Sequence, residues 1–550
     1  MSAGWRAAAL LAILLGVGLR LWQYFANPSL WVDEAAVARN VLDRGVVQLL
    51  GRLDYGQVAP PGFLLGVKLS AALFGGSEYA LRLVPLFAGL AGLFLFYFVA
   101  REILRPVGTI VATVLFSLAV PLIFFSANLK QYSSDVAVTL LVLAFALRIR
   151  RSILTLGSAG AYVLWIALCL FLSQAVVFAT TIAGAVLLVD ALVQRRSDRR
   201  LRFALVGLWA LAVLAAVAHG RSVLSPMDET YLHRFWASGF LPRHGTVAWV
   251  WATARSVFAA PPNPYAFDGS LHYAMPVLIV LLVVIGAAGL CLRRPVPGAL
   301  VIGPIALALG ASAAHAYPWN ARLCLFLLPL FLLALVAGAE LLGDLLRWRP
   351  ARYAPLFLVS LAIWALVRQP PPWTPEHLRP VLQEVAKRHK PGDATWVYYG
   401  AGQAYLYYSK SITVTDDVRV ATCDRADPRD LLRKADIERG RARVWILLAH
   451  GSGPFGFDER GMLLSYLGTI GRRLDEFHAP AGDATPNRAE AVLFDLSDPA
   501  RLAATTAERF PIGTVPPPQT WTCYGTMSPL GSTEKIEVEI FEGNTTRSRY

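Results

Sequence analysis

The stretch Leu30-Trp31-Val32-Asp33-Glu34-Ala35 sets two adjacent carboxylates just after the first long apolar run, Ala7 to Phe25, and a short Asn27-Pro28 break. If that run crosses a membrane, the pair stands where the chain leaves the lipid, an expensive place for ionised groups and one that marks functional sites. A carboxylate at the mouth of a cavity can act as a general base, taking the proton of a hydroxyl as its oxygen attacks carbon. Asp33 is the member of the pair best placed for that role, with Glu34 beside it. The pair could equally cap a short helix starting near Ala35, since acidic groups favour helix N-termini.

Three further stretches carry chemistry. Ser126-Ala-Asn-Leu-Lys-Gln-Tyr-Ser-Ser-Asp135 is a dense polar knot between two apolar runs. Lys130 and Tyr132 can donate to a phosphate, and Asp135 supplies a second acid. Alternatively, Lys130 snorkels to the headgroups and Asp135 pairs with it or caps the next helix. In His315-Ala-Tyr-Pro-Trp-Asn-Ala-Arg322 the guanidinium suits a phosphate or pyrophosphate, with His315 at the other end of the turn. The same turn also reads as an interface anchor with Tyr317 and Trp319 in an aromatic belt. Gly56-Gln-Val-Ala-Pro-Pro-Gly62 is a rigid lead into a helix, and Gln57 is in place to touch a sugar hydroxyl.

Other patterns are weak. Gly451-Ser-Gly-Pro-Phe-Gly456 lacks the Lys-Ser/Thr ending of a phosphate loop, and Asn544-Thr-Thr546 is a lone glycosylation tripeptide. No HExxH or CxxC pair points to a metal, so no cofactor or metal is expected.

The composition says what must hold these residues. Of 550 residues, 56% are hydrophobic and 16% charged, and the mean hydropathy is +0.50. That is a polytopic membrane protein. The first run reads as a retained helix. Five cysteines are too few for a disulfide framework; Cys169, Cys291 and Cys324 fall in apolar runs, leaving Cys423 and Cys523 able to pair. The net charge of +14 is parcelled into short clusters between apolar runs, which is a topology signal and not a nucleic-acid groove.

Those clusters are Arg101 with Arg105; Arg148, Arg150 and Arg151; Arg195, Arg196, Arg199 and Arg200; Arg293 and Arg294; and Arg347, Arg349 and Arg352. Placing all of them in the cytoplasm requires about eleven spans, at roughly 7–25, 81–100, 107–126, 134–148, 158–173, 175–193, 203–219, 273–291, 297–314, 321–342 and 354–369. The N-terminus is then cytoplasmic. Pro61 to Gly76 is short and carries Lys68, so it reads as an interfacial or re-entrant helix. Asp33, Lys130, Asp135 and Arg322 then all emerge on the outer face. From Gln369-Pro-Pro-Pro-Trp373 the polarity becomes ordinary. The chain thus divides into a membrane domain, 1–370, and an extracytoplasmic α/β domain, 371–550, with a Pro-, Gly- and Thr-rich tail to which no structure is assigned. In the α/β domain the pattern predicts helices over 376–389, 401–409 and 459–470, and strands over 394–399, 443–449, 474–478 and 491–496.

With these residues in place, the chain resembles the GT-C superfamily of membrane glycosyltransferases, close to family 39, which includes protein O-mannosyltransferases and the aminoarabinose transferases of lipid A. The resemblance rests on Asp33-Glu34 in the first outer loop, the proline segment Ala59-Pro60-Pro61, Asp135 after Tyr132, and Tyr317-Pro318 before Arg322. Where the aminoarabinose transferases have a lysine before the proline, Ala59 stands here, and Lys130 is its natural substitute. The resemblance implies a bacterial inner-membrane enzyme of cell-envelope glycan synthesis that moves a sugar from a polyprenyl-phosphate-linked donor to a hydroxyl of a lipid, glycan or protein. The donor tail stays among membrane lipids, its phosphate meets Lys130, Tyr132 and Arg322, and Asp33 activates the acceptor with inversion. The rival reading is a lipid or polysaccharide transporter with an outer docking domain; such proteins carry polar sites near the midplane and often repeats. Here the acids lie at the mouth, and no repeat is apparent.

Overall fold

The computed structural model describes residues 3–194, 197–258, 275–320, 322–345, 353, 355–368, 370–422, 429–451, 458–480, 488–512, 538–542 and 545–547. Cys423, Cys523, Asn544, most of the Gly451–Gly456 loop, and Arg195, Arg196, Arg347, Arg349 and Arg352 lie outside them. The chain forms two compact units, one of residues 1–27 with 59–372, the other of residues 28–58 with 373–550.

The first unit is helical because its apolar runs are long enough to satisfy every backbone group internally, the one solution open to a single chain segment in lipid. Among the described residues, seven helices are long and apolar enough to cross a membrane: Gly4–Ala26, Leu83–Ile103, Tyr132–Arg151, Arg199–Ser222, Pro276–Arg293, Pro295–Ala313 and Leu325–Leu345. A bent pair, Pro106–Leu118 with Val120–Ala127, turns through 58° and can serve as an eighth. The shorter apolar helices are Pro61–Phe74, Leu156–Leu172, Val177–Val193 and Leu356–Arg368. Each of the eleven expected runs is therefore helical; eleven crossings are reached only if the last three of these cross as well. Pro61–Phe74 has 14 residues, a rise of about 21 Å against the ~30 Å of a hydrocarbon core.

Among the described residues, arginines of the clusters gather at one end of this bundle. Arg151 pairs with Glu102. Arg105 pairs with Asp344 at 2.7 Å, and Arg294 donates to Ile103 O at 2.6 Å and Glu102 O at 3.0 Å. Arg202 is fully buried against Asp190, 3.4 Å, and Asp198, 3.1 Å. The helix ends that should share one side of a membrane thus share one end of the unit.

The second unit is an α/β layer. Its sheet runs β4-β5-β3-β1-β2-β6-β7, the strands being β1 Ala394–Val397, β2 Asp417–Ala421, β3 Val444–Leu448, β4 Arg472–His478, β5 Glu490–Asp495, β6 Val538–Glu542 and β7 Thr545–Arg547. β1 is parallel to β2 and β3, and the remaining pairs are antiparallel. β3 is buried along its whole length, as expected for a strand covered on both faces. Helices Leu378–Arg388, Tyr399–Tyr408 and Glu459–Ile470 fall where the pattern predicts them. β2, and the pairing of tail residues 538–542 with it, were not anticipated. Residues 28–58 belong to this unit: helix Val32–Asp43 packs on Tyr399–Tyr408, and Arg39 donates to Gln403 Oε1 at 2.8 Å.

Candidate active site

In the helical unit the polar knot lies at the end opposite the arginines. The break at Ala119, between Pro106–Leu118 and Val120–Phe124, frees backbone carbonyls. Arg20, fully buried in the first helix, donates to two of them, Phe116 O and Ser117 O, both at 3.4 Å. A single arginine inside an apolar run gives no sign of this in the sequence. Gly89 lets Ser126 approach: a Cβ there would lie 2.5 Å from the serine's own.

The chain then turns through 128–131 into helix Tyr132–Arg151 with its polar side chains inside. Lys130, Tyr132 and Asp135 are each 5% exposed. Tyr132 packs edge-on against Phe125, with ring centroids 4.9 Å apart. Ser173 bonds the carboxyl of Asp135. Tyr317 reaches the same place. Its ring meets Phe178 edge-on at 5.1 Å, and its hydroxyl donates to Leu323 O at 2.8 Å. Burial, then the Cys324 thiol, Asp135 and Tyr132, push its hydroxyl well above the ordinary phenol range.

Three acceptor oxygens in this one stretch have no donor among the described residues: Asn128 Oδ1, Gln131 Oε1 and Asp135 Oδ1. A buried acceptor left unsatisfied costs about 1–3 kcal/mol, so each of these three oxygens calls for a donor, water included.

Arg322 lies over the Trp236 ring, 4.9 Å from its centroid, and its backbone N–H donates to Asn320 Oδ1 at 3.3 Å. His315 has a left-handed backbone, φ 55°, and stacks on Phe240 at 5.0 Å, whose other neighbour is His233 at 5.1 Å. A cavity of about 500 Å³ opens beside it, lined by Pro242, Arg243, Ala313 and Ala314.

In the α/β unit, Asp33 and Glu34 occupy the first turn of helix Val32–Asp43, Asp33 half-buried and Glu34 buried. No side chain of the N-cap residue, Trp31, caps this helix. Instead Glu376 Oε2 accepts from Val32 N–H at 3.1 Å. Gln57 closes its own turn, donating to Tyr55 O at 3.3 Å. Among the described residues no group of three His, Cys, Asp or Glu is placed to hold a metal ion.

No protein-family model and no curated protein sequence matches the chain. Solved structures do. The oligosaccharyltransferase AglB of Archaeoglobus fulgidus, in complex with an inhibitory peptide and a dolichol-phosphate, superimposes with TM-score 0.50 at 12% identity, over 87% of this chain and 74% of AglB. The protein has the GT-C fold. An A. fulgidus oligosaccharyltransferase structure with zinc and sulfate gives TM-score 0.46 at 12% identity, over 80% of this chain and 67% of that one. ArnT of Cupriavidus metallidurans in its apo state gives 0.46 at 13% identity, over 89% and 98%. With its apolar helices, the chain is a multi-pass integral membrane protein.

Proposed function

We propose that the protein is a membrane glycosyltransferase that moves a sugar from a polyprenyl-phosphate-linked donor to a hydroxyl acceptor on the outer face of a bacterial inner membrane. The observation that supports this reading is the knot at 128–135, a buried Lys130 together with three acceptors that have no donor among the described residues, at the end of the apolar helices away from Arg105, Arg151 and Arg294. Lys130 and Tyr132 are the donors for the phosphate. Asn128, Gln131 and Asp135 are acceptors for sugar hydroxyls, which a phosphate group alone would leave unused. The dolichol-phosphate bound to AglB, whose fold this is, supports a lipid-linked phosphate as the ligand class.

Asp33 is the general base. It takes the proton of the acceptor hydroxyl as that oxygen attacks the anomeric carbon. The carbon–phosphate oxygen bond breaks on the opposite face, and the electron pair leaves with the polyprenyl phosphate. Cationic stabilisation of that leaving group takes the place of a general acid. The product is inverted. Arg322 is a further candidate for the phosphate, His315 and Gln57 for substrate contacts, and Glu34 for support of Asp33.

The test is transfer from a labelled polyprenyl-phosphate sugar by the purified protein, with polyprenyl phosphate release as readout. Asp33→Asn should express, bind donor and transfer nothing. Full transfer by that variant removes Asp33 from the chemistry, and absence of release by the unaltered protein across a panel of donor sugars removes the reaction.

A further inference from the structure

The α/β unit holds a feature that its own fold singles out. From β1 the chain passes through helix Tyr399–Tyr408 to β2, then returns across β1 to β3, so strand order reverses beside β1. In open α/β sheets the crevice outside the strand carboxyl ends at such a reversal is where ligands are seated. Here those ends are Tyr398-Tyr399 after β1 and Ala449-His450 after β3. Gly400 allows the two to close up: a Cβ on it would stand 2.7 Å from Ala449 O and 3.1 Å from His450 Cβ.

His450 Nδ1 lies 2.5 Å from Glu376 Oε1, and the other oxygen of that carboxylate holds Val32 N–H at 3.1 Å, one residue before Asp33. The residues leading up to Asp33 are held in the same manner. Ser29 N–H and Oγ both lie on His377 Nδ1, at 3.1 and 2.7 Å, and Arg379 N–H donates to Ser29 Oγ at 2.9 Å. Because Nδ1 accepts from a backbone N–H, His377 carries its proton on Nε2. Leu30 N–H donates to the Tyr408 hydroxyl at 2.8 Å. Three of the four backbone donors from Ser29 to Val32 are therefore taken by side chains of the sheet domain.

Both members of the Glu376–His450 pair have left-handed backbones, φ 52° and 56°. Such conformations cost of order 1–3 kcal/mol for residues other than glycine and persist where the surroundings over-determine them. Glu376 is 5% exposed. A helix N-terminus can be capped by a local serine or aspartate at no such cost.

We infer that Glu376 and His450 are positioning residues for Asp33, resting on the reading of Asp33 as the base: the sheet's ligand-seating corner is given over to fixing the backbone that carries that carboxylate. Glu376 accepts from Val32 N–H and neutralises the helix's positive end; His450 holds the Glu376 carboxyl in the orientation that does so. Neither touches substrate in this assignment.

The test compares Glu376→Ala, Glu376→Gln, His450→Ala and Asp33→Asn in the full-length protein. The readouts are kcat and donor KM for sugar transfer, and amide exchange of a peptide spanning 29–41. Glu376→Ala should lower kcat about tenfold to a hundredfold, the scale of a misplaced catalytic group, with donor KM unchanged and faster exchange confined to that peptide. Glu376→Gln keeps an acceptor for Val32 N–H and should recover most of kcat. Unchanged kcat in Glu376→Ala, with faster exchange, makes the pair structural and overturns the inference. Equal loss in Glu376→Gln and Glu376→Ala overturns it too. Should Glu376→Ala fail to fold, His450→Ala decides by the same two readouts. Asp33→Asn keeps the outcomes distinct: if it transfers normally, the reading of the base has failed; if it is inert while Glu376→Ala and His450→Ala are normal, only this inference has.

Discussion

Gly286 and Gly338 face each other across helices Pro276–Arg293 and Leu328–Leu345 with no room for a methyl group. A Cβ on Gly286 would stand 1.8 Å from Ala334 O and 2.5 Å from Gly338 N; one on Gly338 would stand 1.9 Å from Leu282 O and 3.0 Å from Gly286 N. In lipid the association of apolar helices gains little from the hydrophobic effect, so close backbone approach through small residues is what holds them. Gly286→Ala or Gly338→Ala should therefore cost at least the ~1–3 kcal/mol of overpacking. The loss should appear as a lower thermal midpoint and a smaller monodisperse fraction in detergent. Gly207→Ala, with nothing within 4 Å of its would-be Cβ, should be neutral or slightly stabilising.

Arg202 ties three helix ends together. Besides Asp190 and Asp198 it donates to Ile149 O at 3.0 Å and Ser152 O at 2.8 Å, and Asp198 Oδ2 accepts from Leu154 N–H at 2.7 Å. Its side chain is 0% exposed, those of Asp190 and Asp198 4% and 2%. Removing one partner of such a cluster leaves uncompensated buried charge, at about 3–5 kcal/mol. Arg202→Ala should accordingly lose most folded protein in a detergent thermal-shift assay. Arg150→Ala should lose much less, because the Arg150 side chain, 28% exposed, keeps water as an alternative partner.

Much of this architecture is legible in the sequence, for physical reasons that also mark where legibility stops. An apolar run must be helical in lipid, so the runs declare themselves, and helix Glu459–Ile470 falls where its pattern puts it. The described cluster arginines Arg105, Arg150, Arg151 and Arg294 share an end because charge cannot be distributed freely along a membrane helix. Local periodicity cannot show partners distant in the chain. Glu376 and His450 are 74 residues apart and Glu376 and Val32 are 344 apart, so neither pairing leaves a trace in spacing. Residues 28–58 follow the first apolar helix directly yet belong to the α/β unit, since the backbone donors of Ser29, Leu30 and Val32 are met by side chains 348, 378 and 344 positions away. Arg20 looks like a tolerated charge until the broken helix whose carbonyls it satisfies is in view. In the knot, Lys130, Tyr132 and Asp135 were legible as polar types between apolar runs; Ser173 and Tyr317 come to Asp135 only through the packing of other helices.

Asp393 gives the α/β unit an acid-sensitive joint. Its buried carboxylate accepts from Arg443 at 2.6 and 3.1 Å, Trp445 Nε1 at 3.0 Å and Lys390 N–H at 3.0 Å. Burial works against the charge, but these donors, Arg443 first, hold the acid below the ordinary carboxylate range. A group with a depressed folded-state pKa contributes stability that is complete above its unfolded value of about 3.9 and is lost as pH falls through the folded one. Tryptophan fluorescence of the full chain, with Trp396 and Trp445 buried beside this strand pair, should show the thermal midpoint falling below about pH 4. In Asp393→Asn the midpoint should be lower at neutral pH and flatter across that acid range. An unchanged acid limb in that variant would assign the sensitivity to other carboxylates.

Lys130 separates binding from chemistry. Its ammonium is buried at 5% exposure, where a charge-assisted hydrogen bond is worth about 1.5–3 kcal/mol. To the extent that this bond is made to the donor phosphate in the ground state and transition state alike, its loss raises KM without lowering kcat. Lys130→Ala should thus raise donor KM about tenfold to a hundredfold, with a smaller fall in kcat from the part of the interaction that grows as the phosphate leaves. Lys130→Arg should recover part of the affinity, since it restores charge but not the compact shape of an ammonium. A fall in kcat with donor KM unchanged would mean that the lysine acts on charge developing in the transition state. Unchanged values for both would place the phosphate elsewhere, with Arg322 the next cation to substitute.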